Sequence, residues 1–386
     1  MAAKELRVAI IGYQFMGKAH SNAWLQAARF FDLPLRPVLQ VACGRNETAL
    51  RAFADNWGWQ HIETDWRKAV ERDDVDVVDV SLPQHLHAEV AIAAARAGKH
   101  LFCEKPMALN ASEAEAMLNA AEAAKVTHYV NHNYRRTPAV RLARQLIDEG
   151  KIGRIFHWRG AYQQDWIVDP EFPLTWHLQK EFAGSGPHGD LNSHSVDLAH
   201  YLVGDIKTVS CLTANFIKER PLPGDGAATF SAGVGGATAR GEVTVEDASL
   251  MMVEFANGAI GSFEATRFAP GRKNRNTFEI YGSEGALTFD LERMNELQFH
   301  SRNDPEHAQG FRTILATEPC HPYIKHWWPP GHVIGYEHEF THAVVDFVDA
   351  IAHGKPIEPN FHDGLKCIRV LEAGLKSAAS GQRENV

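Results

Sequence analysis

Three short stretches of this chain concentrate residues that can move protons and hold charge. In "FCEKPMAL" Glu104, Lys105 and Pro106 stand in a row, and in "GSGPHGDLNSHSVDLAHYLVGD" Asp190 precedes His194 by four residues with Asp197 three further on. On a helix that spacing places Asp190, His194 and Asp197 on one face. Histidine titrates near neutrality and shuttles protons, and a neighbouring carboxylate orients it. His188 and His200 read as bystanders. A lysine can hydrogen-bond a hydroxyl or carbonyl oxygen and steady the negative charge that develops there. The plain alternative for Lys105 is a surface salt bridge with Glu104. Together these groups suit proton transfer to or from a hydroxyl or carbonyl oxygen.

The third stretch, "LRVAIIGYQFMGKAH", begins like a dinucleotide-binding turn. Gly12 and Gly17 hold the first and third positions of a Gly-x-Gly-x-x-Gly phosphate loop, and Gln14 stands where the middle glycine is usual. The first glycine permits a tight turn and the third permits close helix–strand packing. The following helix N-terminus offers unpaired N–H groups to a pyrophosphate. At the end of the next strand "ACGRN" has no acidic residue to hold a ribose 2′-hydroxyl. Arg45 beside Gly44 suits a 2′-phosphate, since guanidinium matches phosphate geometry, so the pair leans toward NADP over NAD. Stacking of Arg45 on adenine is the alternative.

The elements that must position these residues follow one grammar in the first third of the chain. Apolar runs at 7–12, 36–44, 74–83, 100–106 and 127–133 alternate with helix-like segments such as 47–58, 87–99 and 112–125. Continuous apolar strands alternating with helices predict a doubly wound parallel sheet, an α/β Rossmann domain over 1–133. Ligands on such sheets sit at the carboxyl ends of the strands, where Gly12, Gly44 and Lys105 fall. From 134 to 386 the grammar changes. A helix at 137–153 precedes strand candidates at 154–162, 208–217, 249–268, 276–290 and 296–300, with one clear helix near 192–204. Asn257-Gly258 and Gly282-Ser283-Glu284-Gly285 mark hairpin turns. The expectation is an α+β domain with a large, mainly antiparallel sheet that binds substrate and mediates oligomerisation, with the last helices free to pack back on the first domain. The glycine-rich stretch 220–241 reads as a surface loop.

Composition narrows the partners. The chain has 386 residues, a net charge of −9, 45% hydrophobic and 23% charged residues. That balance is globular and disfavours nucleic acid or an anionic membrane as partner. No apolar run reaches the roughly 18 residues that span a bilayer, and the start lacks a leader-like pattern, so a cytoplasmic location is expected. The five cysteines are dispersed and form no C-x-x-C, which suits reduced structural thiols. His321, His326, His332 and His338, with Trp327 and Trp328, do not follow a metal-ligand spacing, and no metal is expected.

The glycine loop with its Phe15-Met16, the stretch "SLPQHLHAEVAIAAARAGKHLFCEKP" and "GDLNSHSVDLAHYLVGD" resemble the Gfo/Idh/MocA family of sugar and inositol dehydrogenases. The matches span the Rossmann half and the start of the second domain. "NYRRTPAV", "QDWIVDP", "LTWHLQK" and "GFRTI…HPY" look similar to its levoglucosan-dehydrogenase-like branch. The resemblance implies an NAD- or NADP-dependent oxidoreductase that passes hydride between nicotinamide and a secondary alcohol of a monosaccharide, anhydrosugar, glycoside or inositol. It makes Lys105, Asp190 and His194 the catalytic set. It puts Gly12, Phe15, Met16, Pro83, His87, Glu104 and Lys105 at the cofactor; Gln14, Gly44, Arg45, Leu82 and Asn133 are expected there as well, with Gly44-Arg45 a departure from the family pattern. Tyr134, Gln164, Asp165, Trp166, Trp176 and His177 supply stacking and hydroxyl-reading groups for the sugar. A homodimer or homotetramer, formed through the exposed face of the antiparallel sheet, is expected. Two other readings stay open: a redox-assisted glycosidase that holds its NAD permanently, and a non-catalytic sugar or nucleotide sensor.

Overall fold

The computed structural model describes residues 4–223 and 239–386. The chain divides into two compact units, Met1–Arg136 with Ile334–Ile368, and Thr137–Val333 with Arg369–Val386.

In the first unit strands and helices alternate: β1 (Lys4–Ile11), α1 (Phe15–Phe30), β2 (Leu35–Cys43), α2 (Glu47–Trp57), β3 (His61–Glu63), α3 (Trp66–Glu71), β4 (Val77–Val80), α4 (His87–Arg96), β5 (His100–Cys103), α5 (Ala111–Ala124) and β6 (His128–Val130). The six strands are parallel in the order β3-β2-β1-β4-β5-β6. The short edge strand β3 carries too little apolar pattern to stand out in the sequence. Strand order reverses between β1 and β4, the switch point where such sheets open a crevice. Side chains start the helices: Asn46 accepts from the Ala49 N–H, Asp65 from Arg67 and Asn110 from Glu113. Such caps each contribute about 1 kcal/mol.

The second unit begins with α6 (Pro138–Asp148) and β7 (Ile155–Gln163), followed by α7 (Lys180–Ala183), α8 (Pro187–Asp190) and α9 (Asn192–Leu202). Then come β8 (Ile206–Ala214), β9 (Glu219–Pro221), β10 (Arg240–Glu242), β11 (Ala248–Phe255), β12 (Ile260–Thr266), β13 (Arg275–Gly282), β14 (Gly285–Asp290), β15 (Glu296–Ser301) and β16 (Arg312–Leu315). Helix α10 (Tyr336–His353) belongs to the first unit, and α11 (Phe361–Ser380) and the terminal β17 (Glu384–Asn385) follow it. Nine strands form one sheet, β16-β15-β14-β13-β7-β12-β11-β8-β17, antiparallel except for the β7–β12 pair. Of the glycine-rich stretch 220–241, residues 224–238 lie outside the described part, and its flanks β9 and β10 pair with each other.

The core of the first unit joins the sheet to two helices. Val8, Ile10, Leu39, Val77, Phe102 and Tyr129 from the strands pack with Trp24 of α1 and Phe340, Val344 and Phe347 of α10. Burying each such side chain contributes about 1.5–3 kcal/mol. In the second unit the inner sheet face stacks Trp158 on Phe278 and Phe278 on Phe289. A smaller core of Ile167, Phe172, Leu174, Leu178, Val243 and Val245 lies under the segment that carries Trp166. Buried Arg220 ties that segment down, donating to the carbonyls of Ile167 at 2.6 Å and Asp169 at 2.8 Å.

Candidate active site

The β1–α1 turn is shaped by backbone, not by side-chain choice. Gly12 has φ +111°, and a Cβ there would lie 2.3 Å from the Ser81 carbonyl oxygen. A Cβ on Gly17 would lie 2.4 Å from the Gly12 carbonyl oxygen. Both positions therefore require glycine. Gln14 sits at the α1 N-cap without a side-chain capping bond, so the first amides of α1 keep their capacity for an anion. Phe15, at the first helical position, is 46% exposed although aromatic. A closely packed glycine turn feeding an uncapped helix end fits a dinucleotide pyrophosphate.

The other residues expected at the cofactor lie at the carboxyl ends of the same strands. Gly44 and Arg45 follow β2, Leu82, Pro83 and His87 follow β4, Glu104 and Lys105 follow β5, and Asn133 follows β6. Their side chains are not equally available. His87 is buried between two of these loops, with Nδ1 3.0 Å from the Pro106 carbonyl and Nε2 2.8 Å from that of Leu82, and as a neutral ring it donates to one of them. Asn133 donates to Glu339 of α10 at 2.8 Å. Glu104 is buried and turned inward toward His20 and Asn131. Lys105 is half-buried, and its bond to Pro106 is cis.

The lean toward NADP loses its footing here. A Cβ on Gly44 would lie 2.3 Å from the Tyr13 ring, so aromatic packing already accounts for the glycine. Arg45 beyond it is exposed, and nothing about the pair singles out a 2′-phosphate.

In the second unit the helix expected near 192–204 is α9, and Asp190 lies outside it, so the shared face of Asp190, His194 and Asp197 does not form on one helix. Asp190 ends α8 and His194 belongs to α9, with Leu191 as the joint. The His194 amide bonds back only three residues, to the Leu191 carbonyl at 3.1 Å. Glycine at 184, 186 and 189 and Pro187 keep α8 short and separate from α9. His194 is 4% exposed, with its ring 5.8 Å from that of Tyr162, and Asp197 is 1% exposed. His188, read as a bystander, bridges Ser249 and the Leu371 carbonyl, each at 2.8 Å, a structural anchor for α8.

Sequence reasoning missed Arg267, just past β12. Its Nη2 donates to Asp190 Oδ2 at 2.5 Å, and its guanidinium lies 5.0 Å from the Trp166 ring centroid. Arg267 is 1% exposed. The signal was present: Phe263, Ala265 and Arg267 alternate inward, so a cation occupies a core-facing place in a period of two. Around it the structure gathers several expected sugar-binding residues. Trp166 donates from Nε1 to Gln164 at 2.7 Å, lies edge-on to His177, and His177 stacks on Trp176 at 3.7 Å. Asp165 is used differently: it accepts from Lys273 at 2.8 Å and from the Gly271 amide, and these bonds hold its carboxyl below the usual range. Tyr134 is buried in the first unit.

Among the described residues no group of three or more His, Cys, Asp or Glu is arranged to hold a metal ion. His321 accepts from the Glu318 amide and His332 contacts the Pro329 carbonyl, local turn contacts in the Trp/His-rich segment. Among the described residues no helix is long and apolar enough to cross a membrane.

Residues 6–132 match the oxidoreductase family with an NAD-binding Rossmann fold, and residues 140–288 match the GFO/IDH/MocA C-terminal domain. The chain is 45% identical over 378 residues to levoglucosan dehydrogenase of Pseudarthrobacter phenanthrenivorans, covering 97% of each. An oxidoreductase domain protein from Kribbella flavida matches with a TM-score of 0.94 at 52% identity over 99% of both chains. Levoglucosan dehydrogenase in complex with NADH and levoglucosan matches with a TM-score of 0.93 at 43% identity, over 99% of this chain and 100% of that one.

Proposed function

The chain belongs to the Gfo/Idh/MocA family of oxidoreductases, and we propose that it is an NAD-dependent dehydrogenase of a sugar or anhydrosugar, with levoglucosan the first substrate to test. The observation that carries this reading is the Asp190–Arg267–Trp166 array, a carboxylate held by a buried guanidinium beside an aromatic face. Carboxylates read sugar hydroxyls, and aromatic faces cover the apolar C–H surface of a pyranose. Bound at the Gly12–Gly17 turn, NAD supplies the hydride acceptor. His194 takes the proton of the reacting hydroxyl. Lys105 donates a hydrogen bond to that oxygen and steadies its developing charge. Asp190, paired with Arg267, is oriented for hydrogen bonding and is not the proton acceptor.

NAD is favoured over NADP because NADH is the cofactor in the levoglucosan dehydrogenase complex and Gly44 is explained by Tyr13. The open face of the nine-stranded sheet supports self-association. Leu212, Leu250, Met252 and Ile260 are each at least half exposed on three adjoining strands, an apolar patch that a second copy would cover. A cytoplasmic location remains part of this proposal.

The test is NADH formation from levoglucosan, monosaccharides and inositols, each with NAD and with NADP. Levoglucosan with NAD should give the highest kcat/KM. Lys105→Ala should bind NADH yet lose on the order of 10²–10⁴ in kcat. Near-normal turnover would remove Lys105 from the mechanism. Aglycone release from glycosides without net NADH would instead mark a redox-assisted glycosidase.

A further inference from the structure

Beneath the carboxyl ends of β4 and β5 lies a buried ionic cluster that the proposed chemistry does not use. His20 of α1 is 1% exposed, with Nδ1 2.7 Å from Asp79 Oδ1 and Nε2 2.9 Å from Glu104 Oε1. Asp79 is fully buried, and its Oδ2 accepts the Trp24 indole N–H at 2.8 Å. Glu104 Oε1 also accepts from Asn131 at 2.7 Å. Carboxylates only accept, and a neutral imidazole donates from one nitrogen. Ser81 Oγ also lies 3.0 Å from Nδ1 and Asn131 Nδ2 3.2 Å from Nε2, but each ring nitrogen has its shortest contact with a carboxylate oxygen, an arrangement that favours the imidazolium.

The charges agree with this geometry. Burial alone would lower the His20 pKa, but Asp79 and then Glu104 outweigh it and raise it to about 10. Burial pushes Glu104 up, yet the His20 bond and charge, the Lys105 charge and Asn131 leave it below its usual value.

The cluster reaches Lys105 through the main chain. The Glu104 amide donates to the Val80 carbonyl at 3.0 Å, and the Cys103 carbonyl accepts from the Asn131 amide at 2.7 Å. Lys105 is the first residue beyond these sheet bonds, and its amide donates to Glu104 Oε2 at 3.1 Å. The carboxylate that His20 holds by one oxygen therefore anchors the backbone of Lys105 by the other.

We propose that His20 is a positioning residue for Lys105: clamped between Asp79 and Glu104, it fixes the Glu104 carboxylate that fastens the Lys105 main chain. His20 lies on the helix whose N-terminus forms the glycine turn, so one side chain ties that helix to the strand end bearing Lys105. The proposal rests on the reading of Lys105 as catalytic. That reading stands or falls with Lys105→Ala, and the spectroscopic arm below is independent of it.

Nitrogen-15 NMR of labelled histidine reads the ring directly. His20 should keep both ring protons up to about pH 9, well above the ordinary histidine range; a ring that titrates near neutrality overturns the clamp. His20→Gln removes the cation. Its kcat should fall on the order of 10²-fold, the scale of a misplaced catalytic group, while NADH affinity read by fluorescence stays within about threefold, less than one hydrogen bond is worth. Its kcat should also acquire an ionisation absent from the wild type, rising with pH as Glu104 loses a proton. The other titratable groups around the cluster are Asp79 on β4, Cys103 and Lys105 flanking Glu104, His87 on α4 and His132 after β6, while α10 and β5 present the rings of Phe340 and Phe102. Adding Glu104→Gln to His20→Gln should abolish the new ionisation. If it persists, Asp79 or another neighbour is responsible and the proposal fails. A merely structural histidine would lower stability and leave the shape of the pH profile unchanged. Should His20→Gln not fold, Glu104→Gln alone decides: its amide can set a donor against the Lys105 N–H, kcat should fall at least about tenfold, and wild-type kcat refutes the anchor.

Discussion

Replacing Arg267 by methionine isolates the contact that the second unit builds behind Asp190. Methionine keeps most of the aliphatic stem volume and deletes the guanidinium, so the loss is the ion pair and the ring contact. The pair is close, 2.5 Å, with Arg267 1% and Asp190 32% exposed as side chains. A hydrogen bond to a charged group is worth about 1.5–3 kcal/mol, and a desolvated cation over an indole about 1–2 kcal/mol. Because Asp190 keeps about a third of its surface in water, its stranded carboxylate rehydrates, and the loss stays under the 3–5 kcal/mol or so of a fully buried orphan charge. The share that orients Asp190 is about 2–3 kcal/mol, equivalent to roughly 30–150-fold in kcat/KM. The assay is a double-mutant cycle of Arg267→Met and Asp190→Asn, with kcat/KM for the best sugar substrate and NADH affinity as readouts. If Arg267 acts through Asp190, the double variant is no slower than the slower single variant. Losses that multiply would refute the argument and give Arg267 a role of its own.

Other outcomes follow from the same geometry. Gly12→Ala sets a Cβ 2.3 Å from the Ser81 carbonyl at φ +111°, and should cost about 3 kcal/mol or more in urea unfolding together with NADH binding; wild-type values for both would show that the turn yields. His20, with its folded pKa raised to about 10, contributes stability that is full below about pH 6.5 and is lost as pH rises toward 10, at a slope of up to about 1.4 kcal/mol per unit. The urea midpoint of the wild type should therefore fall more between pH 7 and pH 9 than that of His20→Gln, and parallel falls would contradict the linkage. Met252→Glu with Leu250→Glu charges two side chains that are 68% and 50% exposed; light scattering should show a smaller assembly than the wild type, and an unchanged mass would move the self-association surface elsewhere.

Much of the fold was legible because its periodicities are local. The apolar runs of β1 and β4, buried on both faces, and the alternation along β11 and β12 announce their environments residue by residue. Lys105, Asp190 and His194 stand out as candidates because each lies in a motif a few residues long. The long helix α11 escaped notice, and so did the four-residue α8, whose glycines and proline leave it too short for a helical period to register. Gly44-Arg45 misled because the residue that explains the glycine, Tyr13, lies in another turn.

By itself the sequence determined the Rossmann sheet, the glycine turn and the mainly antiparallel second sheet, and it offered candidates for proton transfer. Only the tertiary structure decided which charges face each other. Arg267 reaches Asp190 across 77 residues, and Glu104 reaches His20 across 84. In sequence Asp79 is an oddity inside a four-residue apolar strand. In the fold it is half of a clamp, because a buried carboxylate persists only where a distant chain segment brings it a cation and hydrogen bonds.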